Sequence, residues 1–273
     1  MRLTTIRVTR DRTAAARIEK KHLTLLPHPD VGALIASGPD WAQRAATHRG
    51  EQLRLPTATT LPPLTPGKVI SVGPNYPTRI KELDQQHPPA PTLSMARPST
   101  TAGTQTTVPL PVPPDRSTDW GVQLGVVISH HAHHITTATA HRHIAGYAVI
   151  NHLHTTDHPA QPPESRSILL IGPTLVTPDQ LPTGGRGLTL TATLGGRLVQ
   201  KANTSELHFD VATLIAHAST VTTLHPGDLI TTGTPGGTLD HPLAPGQSLH
   251  VAIKGLGDID THFTATYAPE ART

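Results

Sequence analysis

Cysteine is absent from the 273 residues, which excludes disulfides, zinc–thiolate centres and cysteine nucleophiles. Aromatic residues number only seven (two Trp, three Tyr, two Phe), too few to stack a nucleic-acid strand. Neither sign of charge dominates. Lys and Arg total 22 against 19 acidic residues, a net charge of +3 with no basic stripe, so nucleic acid is not an expected partner. Long apolar runs are missing too: Gly125-Val126-Val127-Ile128 is strand-length, far short of the roughly 20 residues that span a membrane. The opening Met1-Arg2-Leu3-Thr4-Thr5-Ile6 lacks the apolar core of a secretory signal. A cytoplasmic protein is therefore expected.

Proline, by contrast, is abundant. With glycine it makes up 50 residues, below the roughly 25–30% that marks low-complexity disorder, yet frequent enough to break any long helix. Histidine reaches 19 beside six lysines. A metal-binding role is one reading; GC-rich coding bias, raising His, Thr, Pro, Ala and Arg together, is the preferred one.

Hydrophobic patterning predicts strands with few helices. Residues 1–66 read as a small N-terminal domain, with Leu3–Val8 alternating loosely as a strand and Val31–Ile35 opening a short helix. Leu61-Pro62-Pro63-Leu64-Thr65-Pro66 is a stiff, extended connector. Residues 67–273 form the main domain. Strands are expected over Lys68–Gly73, Trp120–Ile128, Ile144–Leu153, Leu188–Leu194, Asp228–Gly233 and Leu249–Ile253, and Gly195-Gly196 makes a hairpin turn. One helix stands out, capped by Asp210, with Val211, Leu214 and Ile215 on one face, ending before His225-Pro226-Gly227. This is an α+β, β-rich pattern of the roll, barrel or sandwich type.

Several words stand in a meaningful order: Val69-Ile70-Ser71-Val72-Gly73-Pro74-Asn75-Tyr76, Ala96-Arg97-Pro98-Ser99, Asp119-Trp120 before Leu124-Gly125-Val126-Val127-Ile128, and Ile144 to Asn151. Asn203-Thr204-Ser205-Glu206 and Pro226 to Gly237 follow. In that order and spacing the chain resembles the fumarylacetoacetate hydrolase family from about residue 60 to 260. The resemblance implies a mixed β-roll of packed sheets, a small-molecule substrate and a homodimer. Members of that family typically hold Mg²⁺ or Mn²⁺ with a Glu-x-Glu pair and a later aspartate, since hard cations want anionic oxygen. Here those positions fall on Gly121, Gln123 and His152. Glycine brings no ligand, glutamine a neutral one, and imidazole suits magnesium poorly. The expected cofactor is therefore none.

The resemblance also implies an altered acid–base apparatus. The family's lid-helix histidine falls on Arg79, which cannot act as a base, and its glutamate falls on Glu82; the two are spaced to pair at i and i+3. The substrate-polarising lysine finds no clear match. Arg97 and Thr234 take substrate-facing positions, beside Tyr76 and Gln123. A tight-turn role suits Thr234, in Gly233-Thr234-Pro235-Gly236, equally well, and Tyr76 is more readily a packing residue.

The cluster His130-His131-Ala132-His133-His134 aligns with an exposed hairpin and reads as surface, because adjacent strand residues point to opposite faces. His152 and His154, two apart on a strand, share one face of the expected pocket. Three roles stay open for them: a general acid–base, which is preferred; neutral, hydrogen-bonded space-fillers; or zinc ligands together with Asp157. The function expected is metal-independent proton transfer (isomerisation, dehydration, decarboxylation or cyclisation) on an oxo-acid or β-dicarbonyl-like intermediate, in specialised metabolism. A non-catalytic pseudoenzyme retaining the fold, or a C–C bond hydrolase with a rebuilt site, is the alternative.

Overall fold

The computed structural model describes residues 1–54, 59–96, 100–103, 105–111, 118–155 and 167–266. Among them, 14 strands join in one mixed sheet and five in a second. The larger sheet runs from the N-terminal strands across Leu175–Val176, Ile144–Thr155, Val122–Ile128, Leu229–Thr231 and Val69–Val72 to Leu93–Ala96. The smaller sheet orders Arg197–Asn203, Thr189–Leu194, Ser248–Ile253, Gly257–Thr266 and Gln105–Pro111. The architecture is the strand-rich, mixed fold that the sequence predicts. Among the described residues, no helix is long and apolar enough to cross a membrane.

The strand Val122–Ile128 is buried along its whole length, and period-2 alternation gives it two apolar faces. Val122, Leu124, Val126 and Ile128 pack with Leu190, Val251, Ile259 and Phe263 of the smaller sheet. Val127 packs the other way, with Leu3, Ala15, Val31, Leu34 and Trp41 of the N-terminal region. Its neighbour Ile144–Thr155 does the same, with Tyr147 and Val149 on one side and Ala148 and Ile150 on the other. Gly125 allows these two strands to lie close, because a Cβ there would stand 2.5 Å from Ile150 Cγ1.

The N-terminal residues are stitched into this frame. Arg2–Thr9 pairs with Arg12–Glu19, with Thr59–Leu61 and, at Leu3, with Leu175. The helix Val31–Ala36 is capped by Asp30, whose side chain accepts from the Ala33 amide at 2.7 Å. A second short helix, Trp41–Thr47, has no counterpart among the sequence expectations. The expected helix after Asp210 is Val211–Val221, with the Asp210 carboxylate accepting from the Thr213 amide at 2.8 Å. The hairpin glycines Gly195 and Gly196 have φ of 55° and 83°, as their turn requires.

Candidate active site

The N-terminal-facing side of the larger sheet changes character at one end. Val69 gives way to Ser71 two residues on, Val127 and Gly125 to Gln123, Ile150 to His152 and His154, and Leu169 to Ser167. Each step of two keeps the same face. Four strands of the larger sheet thus exchange apolar for polar side chains at one level. There they line a cleft of about 240 Å³, closed by Arg79, Asp119, Trp120, Gly233 and Thr234.

His152 stands at the centre. Its Nε2 lies 2.6 Å from Ser167 Oγ and its Nδ1 lies 3.5 Å from Ser71 Oγ. Burial, with a smaller contribution from His154, lowers the His152 imidazolium to about 4, so the ring is neutral at physiological pH. The His154 ring centroid is 6.1 Å away and the residue is exposed, so the two histidines share the face that strand alternation assigns them.

The lid helix is Pro77–Glu82, opened by proline at its first position, where the missing N–H costs nothing. Arg79 and Glu82 form the expected i, i+3 pair at 2.6 Å. The Arg79 guanidinium is fully engaged, however: it also donates to Thr238 Oγ1 at 2.7 Å and to Asp119 Oδ2 at 2.8 Å. An arginine saturated by two carboxylates fastens the lid rather than offering charge to a substrate. Glu82 Oε1 accepts from the backbone amides of Gly237 at 2.7 Å and Leu239 at 3.3 Å. Burial alone would raise the Glu82 carboxyl, but these donors and Arg79 outweigh it and hold it below its ordinary value. Glu82 is thus an ionised anchor.

The remaining expected residues divide. Gln123 and Thr234 line the cleft. Tyr76 does not: it is fully buried, its phenol finds no hydrogen-bond partner among the described residues, and burial with the charge of Glu206 raises its pKa strongly. It is a packing residue. Arg97 and Asp157 lie outside the described residues. Ser71, Asp119, Ser167 and Gln200 are site residues that sequence reasoning did not single out. The interrupted apolar alternation is the signal that would have found Ser71 and Ser167.

Cleft, short helix and paired sheets together define a mixed, strand-rich scaffold with a polar cleft at one end of its larger sheet. The family model for the C-terminal domain of fumarylacetoacetate (FAA) hydrolases matches residues 68–264, and the chain belongs to this family. It is 33% identical over 205 residues to human mitochondrial oxaloacetate tautomerase FAHD2B, covering 72% of this chain and 65% of that protein. A Mycobacterium smegmatis structure provisionally named HpcE superposes with a TM-score of 0.83 at 30% identity, covering 97% of this chain and all of that one. Maleylpyruvate hydrolase from Sphingobium, crystallised with manganese(II) and pyruvate, shares the fold with a TM-score of 0.77 at 22% identity, covering 97% and 99%.

The residues at the family's cation positions do not fit a hard divalent ion. Gly121 has φ of 144°, and a Cβ there would overlap Thr234 Oγ1 and stand 3.1 Å from both ends of the Gln200 amide. That amide donates to Thr234 Oγ1 at 3.1 Å and to the Pro235 carbonyl at 2.7 Å, while its oxygen accepts from the Val122 amide at 3.1 Å. Space that a longer side chain would need at position 121 is therefore filled. Gln123 Oε1 accepts from the Gly233 amide at 3.2 Å, and both nitrogens of His152 face hydroxyls. One other group has metal-ligand chemistry among the described residues: His250, Asp258 and Asp260, on the smaller sheet and apart from the cleft.

Proposed function

We propose that the protein is a small-molecule enzyme that moves a proton on a 2-oxo acid or β-dicarbonyl compound without a divalent cation, using His152 as base. The observation that carries this reading is the His152 ring lining the cleft between the hydroxyls of Ser167 and Ser71, where the family places an aspartate ligand. A neutral imidazole accepts a proton directly, which the carboxylate-held cation of the relatives does not do. The carbon next to a ketone is acidified most when a second carbonyl shares the charge, so such compounds ask least of a base. His154, at the cleft mouth, is placed to meet a substrate carboxylate. Arg79 is withdrawn from that role by its own ion pairs.

The relationship to oxaloacetate tautomerase makes enol–keto interconversion of oxaloacetate the first reaction to assay. With the enol absorbance followed in EDTA, the rate is expected to equal that of untreated protein. His152→Gln should lower it by roughly 10²–10⁴-fold, the usual worth of a general base, with the melting transition retained. A rate abolished by EDTA and restored by Mn²⁺ or Mg²⁺ overturns metal independence. A rate unchanged in His152→Gln removes this base.

A further inference from the structure

We propose that Ser167 is a nucleophile activated by His152, so that the cleft can take an acyl group covalently. The inference rests on the reading of His152 as the base of the cleft. Three observations support it. Ser167 and His152 sit on adjacent antiparallel strands, Ser167–Ile171 and Ile144–Thr155, in which Ser167 faces His154 and His152 faces Leu169. Ser167 and His152 are thus diagonal neighbours on one face, close enough for side chains to meet. Their polar atoms do meet, at 2.6 Å. On the far side of the ring, Ser71 Oγ stands 3.5 Å from Nδ1. Nucleophile, base and orienting group is the arrangement that activates a serine, and such contacts are often loose before substrate binds. With Ser71 accepting from Nδ1–H, the lone pair of Nε2 points at the Ser167 hydroxyl.

The chemistry fits a β-dicarbonyl compound. Ser167 Oγ bonds to one carbonyl carbon while its proton passes to His152 Nε2. The tetrahedral adduct then collapses with cleavage of the bond from that carbon to the carbon between the two carbonyls. The electron pair goes into the enolate of the second carbonyl, and that carbon takes the proton from Nε2. Water completes the cycle: it gives a proton to Nε2, attacks the serine ester, and Ser167 leaves with the proton. The net reaction consumes one water and yields a carboxylic acid and a ketone. No cation is required to hold the enolate if the second carbonyl is itself conjugated.

Diisopropyl fluorophosphate tests this without a substrate, since an activated serine displaces its fluoride and acquires a stable phosphoryl adduct. Intact mass and peptide mapping of the full-length protein should show one adduct per chain, on Ser167. His152→Gln should slow labelling by roughly 10²-fold or more, Ser167→Ala should abolish it, and Ser71→Ala should slow it while leaving the adduct at Ser167. Ser167→Cys, which preserves volume, should regain covalent capture with iodoacetamide. No adduct on the wild-type protein, or an adduct that survives Ser167→Ala, overturns the proposal. If the adduct is missing while EDTA-resistant, His152-dependent tautomerisation persists, the nucleophile alone is refuted and the proton-transfer reading stands.

Discussion

Single residues at the cleft carry more than packing. Gly121 is held at a φ that side chains rarely adopt, with Thr234 and Gln200 filling the space beside it. A residue with a Cβ would meet both strain and overlap. The glycine was legible in the sequence as a missing ligand, but the replacement of that ligand by Gln200 was not, because Gln200 is remote in the chain and reaches the site only through the smaller sheet. His152 offers a measurable consequence. Its folded pKa, about 4, lies below that of an unfolded histidine near 6.5. Between those values the unfolded chain binds the extra proton, so stability is full above about pH 6.5 and falls as pH drops toward 4. The loss between pH 7.5 and 5 should be about 2 kcal/mol from this residue. Glu82, with its pKa lowered, adds its own loss only below the ordinary carboxylate range. Urea unfolding at both pH values should therefore show a clearly smaller difference for His152→Gln than for the wild type. An equal difference in the two proteins would mean that His152 is not held neutral by burial.

At the scale of elements, strands with regular alternation were legible and contact-dependent pieces were not. Lys68–Gly73, Ile144–Leu153 and the helix after Asp210 announced themselves by period and cap. Trp41–Thr47 did not, since only two of its residues, Trp41 and Ala45, are buried, too few for a periodic signal. The lid helix Pro77–Glu82 follows from the resemblance, whereas its closure has no local signal in the chain. That closure depends on Asp119, Thr238 and the Gly237 and Leu239 amides, all distant in the chain. Arg79 is the joint that links them. Arg79→Met keeps the bulk but leaves Glu82 with its charge half-compensated in a largely buried position, a cost of about 1–3 kcal/mol. Hydrogen exchange should then rise at the amides of Leu83, Gly237 and Leu239, whose acceptors belong to this joint, while Val122–Ile128 stays protected. Unchanged protection at Gly237 and Leu239 would show that the lid is held by something other than Arg79.

For the whole molecule, the decisive feature is a central pair of strands buried on both faces. Val122, Leu124 and Val126 belong to the core under the smaller sheet, and Val127 to the core under the N-terminal helices. The sequence suggested a boundary at the proline-rich connector near residue 66, because stiffness and composition change there. Hydrogen bonding does not stop at that point: Arg2–Thr9 continues the larger sheet through Leu175–Val176, and Leu3 is fully buried among residues from both sides of the connector. Neither core can lose its cover without exposing the shared strands, so unfolding should be one cooperative event. The two tryptophans provide the reporters. Trp41 lies in the N-terminal core and Trp120 at the cleft, both almost completely buried. Fluorescence of Trp41→Phe reports only Trp120, and that of Trp120→Phe only Trp41. Each single-tryptophan variant, followed in urea by fluorescence and by far-ultraviolet circular dichroism, should give coincident midpoints. If Trp41 fluorescence in Trp120→Phe changed at a lower urea concentration than the bulk of the strand signal, the N-terminal residues would be unfolding as a separate unit, and the shared core would not be what holds them.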